Sequence, residues 1–432
     1  MIFKRLLLAS TLSLLIGVFS LVFSGCRNQA ATDESKDIEL VFWTMQLADF
    51  KAVIQPMLDE FEAEHPNVRV KWVDVPGNEI EKRTLTAVLS PNVPDVVNLN
   101  PDFSATLATR NALINMRSAL PKNVQETYLP VAWQAASLEN NQSEITFGLP
   151  WYLTSRVTLY NRALLHKAGY AKPPSDFSTM QEFSARIKEK TGSYAFMPIL
   201  TQSGNFLKEL VKIQVPLYDV SGKPAFDTRQ ALAHLNFYIS LYQGDLIPPE
   251  SLSEDYRAAV DRYQSGTLAL LLVGPNFLSI VKENAPAVYA KTDVAPQFPA
   301  DSPFVDFSEM VLVVPQQSKH PKEALALAAF ITNAKNQLAL AKAAPVLPSV
   351  TSALNDPFFK GGHDALSNNE DIMVRARGIS ARQLLNAKAA YRIRPRQAEI
   401  NELTNYYVQL VMLGRMDAKE GLKTLAQKID VL

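Results

Sequence analysis

The sequence predicts an α/β protein of two lobes whose C-terminal region is mainly helical. Three observations carry this prediction. Short apolar runs alternate with segments of helical spacing from Ile38 onward, the pattern of a parallel α/β layer. The chain has 432 residues, more than one hydrophobic core usually organises. Near the end, HPKEALALAAFI and the run from Ala398 to Leu413 are helical in period.

The chain opens with MIFKR, then an apolar run from Leu6 to Phe23 without an ionisable group. A basic start, an apolar stretch and small residues make an export signal, expected to span residues 1–25. The run is near the lower length for crossing a bilayer, so an uncleaved anchor is the alternative. Cys26 is the single cysteine and follows Ser24-Gly25, a placement that resembles the lipobox of bacterial lipoproteins, although Phe23 replaces the usual Leu. That resemblance implies acylation of Cys26, and hence a membrane partner held through a lipid. RNQAATDESKD, from Arg27 to Asp37, is polar and reads as a tether over 26–38. Beyond Cys26 there is no thiol for a disulfide, a thiolate zinc site or a nucleophile.

Composition narrows the partners. The chain balances 43 basic against 43 acidic residues, and losing Lys4 and Arg5 with the signal leaves a slight acidic excess. That argues against nucleic acid as a partner. A hydrophobic content of 47% suits a folded core, and no second run is long enough to span a membrane.

IELVFW (Ile38 to Trp43) is a buried strand. Phe50, Val53, Ile54, Met57, Leu58 and Phe61 then mark a helix, with Pro56 predicting a kink or a late start. VRVKWVDV is a second strand, a helix follows from Glu79 to Leu89, and PDVVNLN is a third strand. SRVTLYN is a strand entering a helix that stops at Gly169. Ser178 with Gln181, or Thr179 with Glu182, can form a capping box, and Asp227 with Gln230 opens a helix through Leu241. A helix from Glu254 to Gln264 leads into the strand TLALLLV.

GLPWYLTSRVTLYNRALLHKAGYAKPPSDFSTMQEF, from Gly148 to Phe183, resembles the extracellular sugar-binding proteins of ABC importers, the maltose-binding class. FEAEHPNVRV, PDVVNLNPD, QSGTLALLLVGPNF and EMVLVVPQQSKHPKEALALAAFI continue the likeness in the family's order. Ser175-Asp176 stands where Thr-Trp is usual, and Asn276 where many members carry Trp. The resemblance implies a two-lobed periplasmic-binding-protein fold with hinge crossings. Lobe 1 would be 39–151 with 275–315, and lobe 2 would be 152–274 with 316–432. It also implies a monomer that binds a small carbohydrate or polyol, partners the permease subunits of an ABC importer, and needs no cofactor or metal.

Sugars are bound by stacking on aromatic rings and by planar polar groups. Carried over, the candidate ligand residues are Met45, Gln46, Asp102, Trp151, Tyr152, Asn205, Asn276, Phe277, Ser308, Glu309 and Arg394. Each has a plainer alternative. Asp102 could cap the helix after it, Trp151 or Tyr152 could pack a hinge, Phe277 could be core, and Arg394 could form a surface ion pair. The five histidines are isolated, and no nucleophile elbow, P-loop or dinucleotide fingerprint occurs. A glycosidase pair among the scattered carboxylates is the enzymatic alternative.

Overall fold

A computed structural model describes residues 37–90, 92–140, 143–361, 371–388 and 393–432. The expected export signal, Cys26 and nearly all of the tether lie outside the described residues. Among the described residues eleven strands are formed: β1 (Ile38–Met45), β2 (Val68–Val75), β3 (Val96–Leu99), β4 (Ser137–Asn140), β5 (Ser143–Thr146), β6 (Leu149–Ser155), β7 (Val157–Asn161), β8 (Leu270–Val273), β9 (Thr292–Ala295), β10 (Phe307–Val313) and β11 (Leu347–Pro348).

The first lobe holds a six-stranded sheet of order β11-β6-β10-β3-β1-β2. β1 runs parallel to both β2 and β3, as the strand–helix alternation predicts. The helix Lys51–Glu64 between β1 and β2 buries Ile54, Met57, Leu58 and Phe61 against Leu40 and Phe42. Each such side chain contributes roughly 1.5–3 kcal/mol. Pro56 lies inside this helix without delaying its start. β10 enters antiparallel between β3 and β6.

The second lobe holds a three-stranded sheet of order β8-β7-β9. Its membership differs from the expected division in two places. Residues 277–295 stay with this sheet, because β9 pairs antiparallel with β7 and Leu278, Val281 and Val294 pack on Val157, Leu159 and Val273. Only β10 returns to the first lobe. Conversely, the helices Pro321–Ile331 and Ala334–Ala343 place Ala324, Leu327, Ile331 and Leu340 in the cluster of Leu40, Phe42 and Leu149, on the first sheet. The last two helices, Gln397–Met412 and Ala418–Asp430, do join the second lobe through Ile400, Val408, Leu422 and Leu425. Local caps shift slightly too. Thr228, not Asp227, accepts the Ala231 amide, and the helix Met180–Thr191 starts without a side-chain cap.

Among the described residues three segments pass between the lobes at one junction, and hydrogen bonds tie them together. β6 passes into β7 through Arg156 alone, whose N–H donates to the Asp306 carbonyl at 3.0 Å. The Asp306 N–H donates to the Gln297 side chain at 2.8 Å, and the Gln297 N–H donates to that of Gln383 at 2.7 Å. Gln383 closes the circuit by donating to the Arg156 carbonyl at 3.0 Å. Gln383 belongs to the helix Ile372–Leu385, which packs Ala376 into the second lobe and Ala381 and Leu384 beside Leu153 and Leu347 of the first. Flexure is therefore expected at these three connections. Trp151, Gly274-Pro275 and Pro315 lie in other settings: inside β6, at the entry to a second-lobe helix, and bridged to Leu113.

A buried ion network lies under this junction. The Lys212 ammonium is 2.7 Å from Glu209 Oε1 and 2.7 Å from Asp306 Oδ2, and Tyr238 donates to Glu209 at 3.1 Å. Burial alone would push Asp306 up, but Lys212 and Arg156 outweigh it and hold the carboxyl well below its usual range. Removing one partner leaves uncompensated buried charge, so Lys212→Met is expected to destabilise the fold by about 3–5 kcal/mol in urea denaturation. An acid depressed in the folded state stabilises above its unfolded pKa and loses that contribution as pH falls through its folded one. The wild type should therefore lose stability below about pH 4. Asp306→Asn should be less stable near neutrality and show a shallower acid limb.

Candidate functional site

β3 stops where Asn100 and Pro101 turn the chain into the helix Pro101–Ala108. Pro101 has no N–H for a ladder, and the Asn100 side chain accepts the Phe103 amide at 2.9 Å. β10 continues past this point, so Phe307 to Met310 pair only with β6. The space left beside them is a cavity of about 310 Å³, lined by Asp102, Lys208, Asp306, Ser308, Glu309 and Met310 among others. A neighbouring cavity of about 340 Å³ is lined by Arg156, Asn205, Lys208, Tyr256, Asp306 and Ser308 among others. Lys208, Asp306 and Ser308 line both, so the two form one cleft with walls from each lobe.

Five of the sequence candidates fall at or beside this cleft. Asp102, Ser308 and Glu309 line the first cavity, and Asn205 lines the second. Asn100 takes the capping role considered for Asp102, whose side chain is exposed in the first helical turn. Asn205 spends one amide hydrogen on the Ile199 carbonyl at 2.9 Å. Phe277 packs edge-on against Tyr256, a cavity residue, at 5.7 Å between ring centres.

The remaining candidates are set apart from both cavities. Trp151 is fully buried, 6.1 Å from the Phe42 ring and 5.2 Å from Tyr152. Tyr152 is partly buried in the same core, and burial raises its hydroxyl pKa. Met45 packs near Trp43 and Val73, while Gln46 is exposed with φ +55. Asn276 precedes the second-lobe helix Phe277–Asn284. Arg394 stacks on Tyr218 at 3.8 Å and donates to the Gly222 carbonyl at 2.9 Å, clipping a loop in place.

Arg156, Lys208 and Asp306 are cleft residues that sequence reasoning did not single out. Arg156 is a lone charge between two apolar strands, and Lys208 with Lys212 forms an i, i+4 pair in NFLKELVK. Both signals were present, but neither says which lobe faces them. Burial pushes the Lys208 ammonium pKa down, against the pull of Asp306 and Asp102. Among the described residues, no group of three or more His, Cys, Asp or Glu is placed to hold a metal ion. No described helix is long and apolar enough to cross a membrane.

Glu309 is the unusual member. It is 4% exposed, and neither carboxyl oxygen has a protein hydrogen-bond partner. Burial pushes its pKa well above the usual range. A raised acid keeps its proton in the fold while the unfolded chain gives it up, so wild-type stability declines as pH rises past the unfolded pKa of about 4.3. Glu309→Gln removes this penalty. Its melting temperature without ligand should match the wild type near pH 4 and exceed it at pH 7, by an amount equivalent to about 1–3 kcal/mol.

Residues 46–338 match the model of the bacterial extracellular solute-binding protein family. A crystal structure from Synechococcus sp. MITs9220, provisionally described as an oligosaccharide periplasmic-binding protein, superposes with a TM-score of 0.82 at 33% identity, covering 90% of this chain and 98% of that one. An arabinooligosaccharide-binding protein of Bacillus subtilis (strain 168) is 21% identical, over 73% of this chain and 74% of its own. An uncharacterised lipoprotein of Streptomyces antibioticus is 21% identical, over 86% of this chain and 84% of its own. With two lobes, three tied connections and a polar cleft between them, the chain belongs to the bacterial extracellular solute-binding protein family.

Proposed function

We propose that this chain captures a neutral carbohydrate or polyol in the interlobe cleft and delivers it to the membrane subunits of an ABC importer. The observation that carries the reading is the shared lining of the two cavities. Lys208 comes from the second lobe, Ser308 from β10 of the first, and Asp306 from the connection between them. A solute touching all three is held best when the lobes are closed, and it shifts the open–closed balance only through contacts the open form lacks. The closed form, a monomer, then docks on the permease. The relatives named for oligosaccharide binding support a sugar as the solute.

No reaction is proposed. Asp306 is committed to Lys212, which leaves it a poor general acid or base, and the family works by capture and release. A lipid on Cys26 would keep the protein at the outer face of the cytoplasmic membrane, which the lipoprotein relative supports. On this reading Cys26→Ser should release the protein from membranes, and mass spectrometry showing an unmodified native cysteine would contradict the anchor.

The solute reading is tested by thermal shift with maltose, maltotriose, arabinotriose and glucosylglycerol. A binder at 100 times its dissociation constant stabilises by about 2.7 kcal/mol and should raise the melting temperature by several degrees. A panel in which no sugar or polyol moves the transition would overturn it.

A further inference from the structure

Ile393 and Arg394 are consecutive residues held by opposite lobes. Ile393 is 8% exposed and packs with Ala136, Leu138 and Ile145 of the first lobe. It pairs with Leu138 on β4 as a parallel bridge and lines the 310 Å³ cavity. Arg394 belongs to the second lobe. Its guanidinium lies 3.8 Å from the centre of the Tyr218 ring and donates to the Gly222 carbonyl at 2.9 Å. Its N–H donates to the Gln397 side chain at 3.2 Å. Pro395 and Arg396 then turn the chain into the helix Gln397–Met412, with Arg396 at φ +60 and bonded to the Leu432 carbonyl at 3.1 Å.

These residues form a further crossing, one peptide long, on the wall of the cavity. Cα atoms joined by a trans peptide are about 3.8 Å apart. The lobes therefore cannot draw apart at this point while both residues stay seated. Ile393 is the anchor that must yield. Behind Arg394 stand the buried Gln397 and a helix that packs Ile400 and Val408 into the second core. Ile393 is held to the first lobe by the burial of one side chain and by one bridge.

We propose that Ile393 and Arg394 form a latch that sets the balance between open and closed lobes in the free protein, and through it the affinity for the solute. This rests on the reading of the cleft as a closing trap. Opening must pull the Ile393 side chain from its apolar seat into water, which opposes opening whether or not a solute is bound. The apparent dissociation constant is the intrinsic one divided by the fraction of molecules already competent to bind. A weakened latch lowers that fraction, so affinity falls although every contact with the solute is intact. Arg394 and Tyr218 act at a distance from the solute, since the linings of the 310 and 340 Å³ cavities include neither.

The first experiment needs no sugar. Spin labels are placed at Leu89→Cys in the first lobe and at Ala185→Cys, an exposed position of the helix Met180–Thr191 in the second, in a Cys26→Ser chain. Pulsed electron paramagnetic resonance then compares this parent with Ile393→Ser, Arg394→Ala and the two combined. Each single variant should give a broader distance distribution, displaced from that of the parent. The combined variant should match the more displaced single one, because two anchors in series free the strap when either lets go. Displacements that add in the combined variant overturn the latch, and so do single variants indistinguishable from the parent.

The second experiment is calorimetry with whichever of maltose, maltotriose, arabinotriose or glucosylglycerol raises the wild-type melting temperature. Arg394→Ala should bind roughly fivefold to a hundredfold more weakly. Arg394→Lys, which keeps a charge over the ring but loses the planar fork, should fall between it and the wild type. A lower melting temperature for Arg394→Ala with unchanged distances and affinity marks a structural clip and overturns the latch. If saturating sugar leaves the parent's distances unmoved, the closing trap itself fails and takes the latch with it. If the sugar moves the parent while sugar-free Arg394→Ala matches the sugar-free parent, the latch alone fails.

Discussion

The ammonium of Lys212, buried between Glu209 and Asp306, is the contact on which the rest of the cleft depends. Asp306 is not a residue of either sheet. It sits in the connection that carries the chain from β9 back to β10, and its backbone is bonded to Arg156 and to Gln297. Fixing its carboxylate therefore fixes where two of the three connections pass each other. The ion pair is costly to desolvate and worth keeping only because both charges are compensated and further donors satisfy them.

That anchored connection places the candidate side chains of the cleft. From Asp306 the chain enters β10, so Ser308 and Glu309 emerge at a defined distance from the junction, opposite Lys208 on the same helix as Lys212. A helix from the second lobe thus contributes one lysine to the hinge and another, one turn earlier, to the cleft. The floor of the candidate cleft and the junction proposed as its hinge are built from the same few residues, so on that proposal a solute in contact with Lys208 and Ser308 would bear directly on the hinge.

Much of the fold was legible in the sequence. β1 and β3 read as strands because they are short apolar runs, β2 because it partly alternates, and the helices between them show their period. What amphipathicity does not encode is which sheet an apolar face will meet. The helix at Pro321–Ile331 formed as its period predicts, yet it and the segment from Phe277 to Ala295 each packed on the lobe opposite to the one expected. Of the candidate residues, the acids Asp102 and Glu309 line the cleft while the aromatics Trp151 and Tyr152 do not. Asp102 follows a strand end in sequence, and a strand end is where the cleft opens. Trp151 depends instead on register: the ladder skips it between Met310 and Val311, and its ring turns into the core against Phe42. A one-residue slip of that kind leaves no trace in composition. The Lys212 network was missed because a buried lysine and an exposed one look alike until the fold brings in Asp306 from almost a hundred residues away.

Closure about the tied connections is the claim that joins fold to function, and a distance between the lobes tests it most directly. Leu89, in the first lobe, and Val220, in the second, are both exposed. Since Cys26 is the only native thiol, Leu89→Cys and Val220→Cys in a Cys26→Ser chain give two clean positions for spin labels. Pulsed electron paramagnetic resonance should show the distance distribution moving to a different, narrower separation when a sugar that raises the melting temperature is added to saturation. A saturating sugar that leaves the distribution unchanged would mean that the lobes do not move on binding, and the account of the cleft as a closing trap would be wrong.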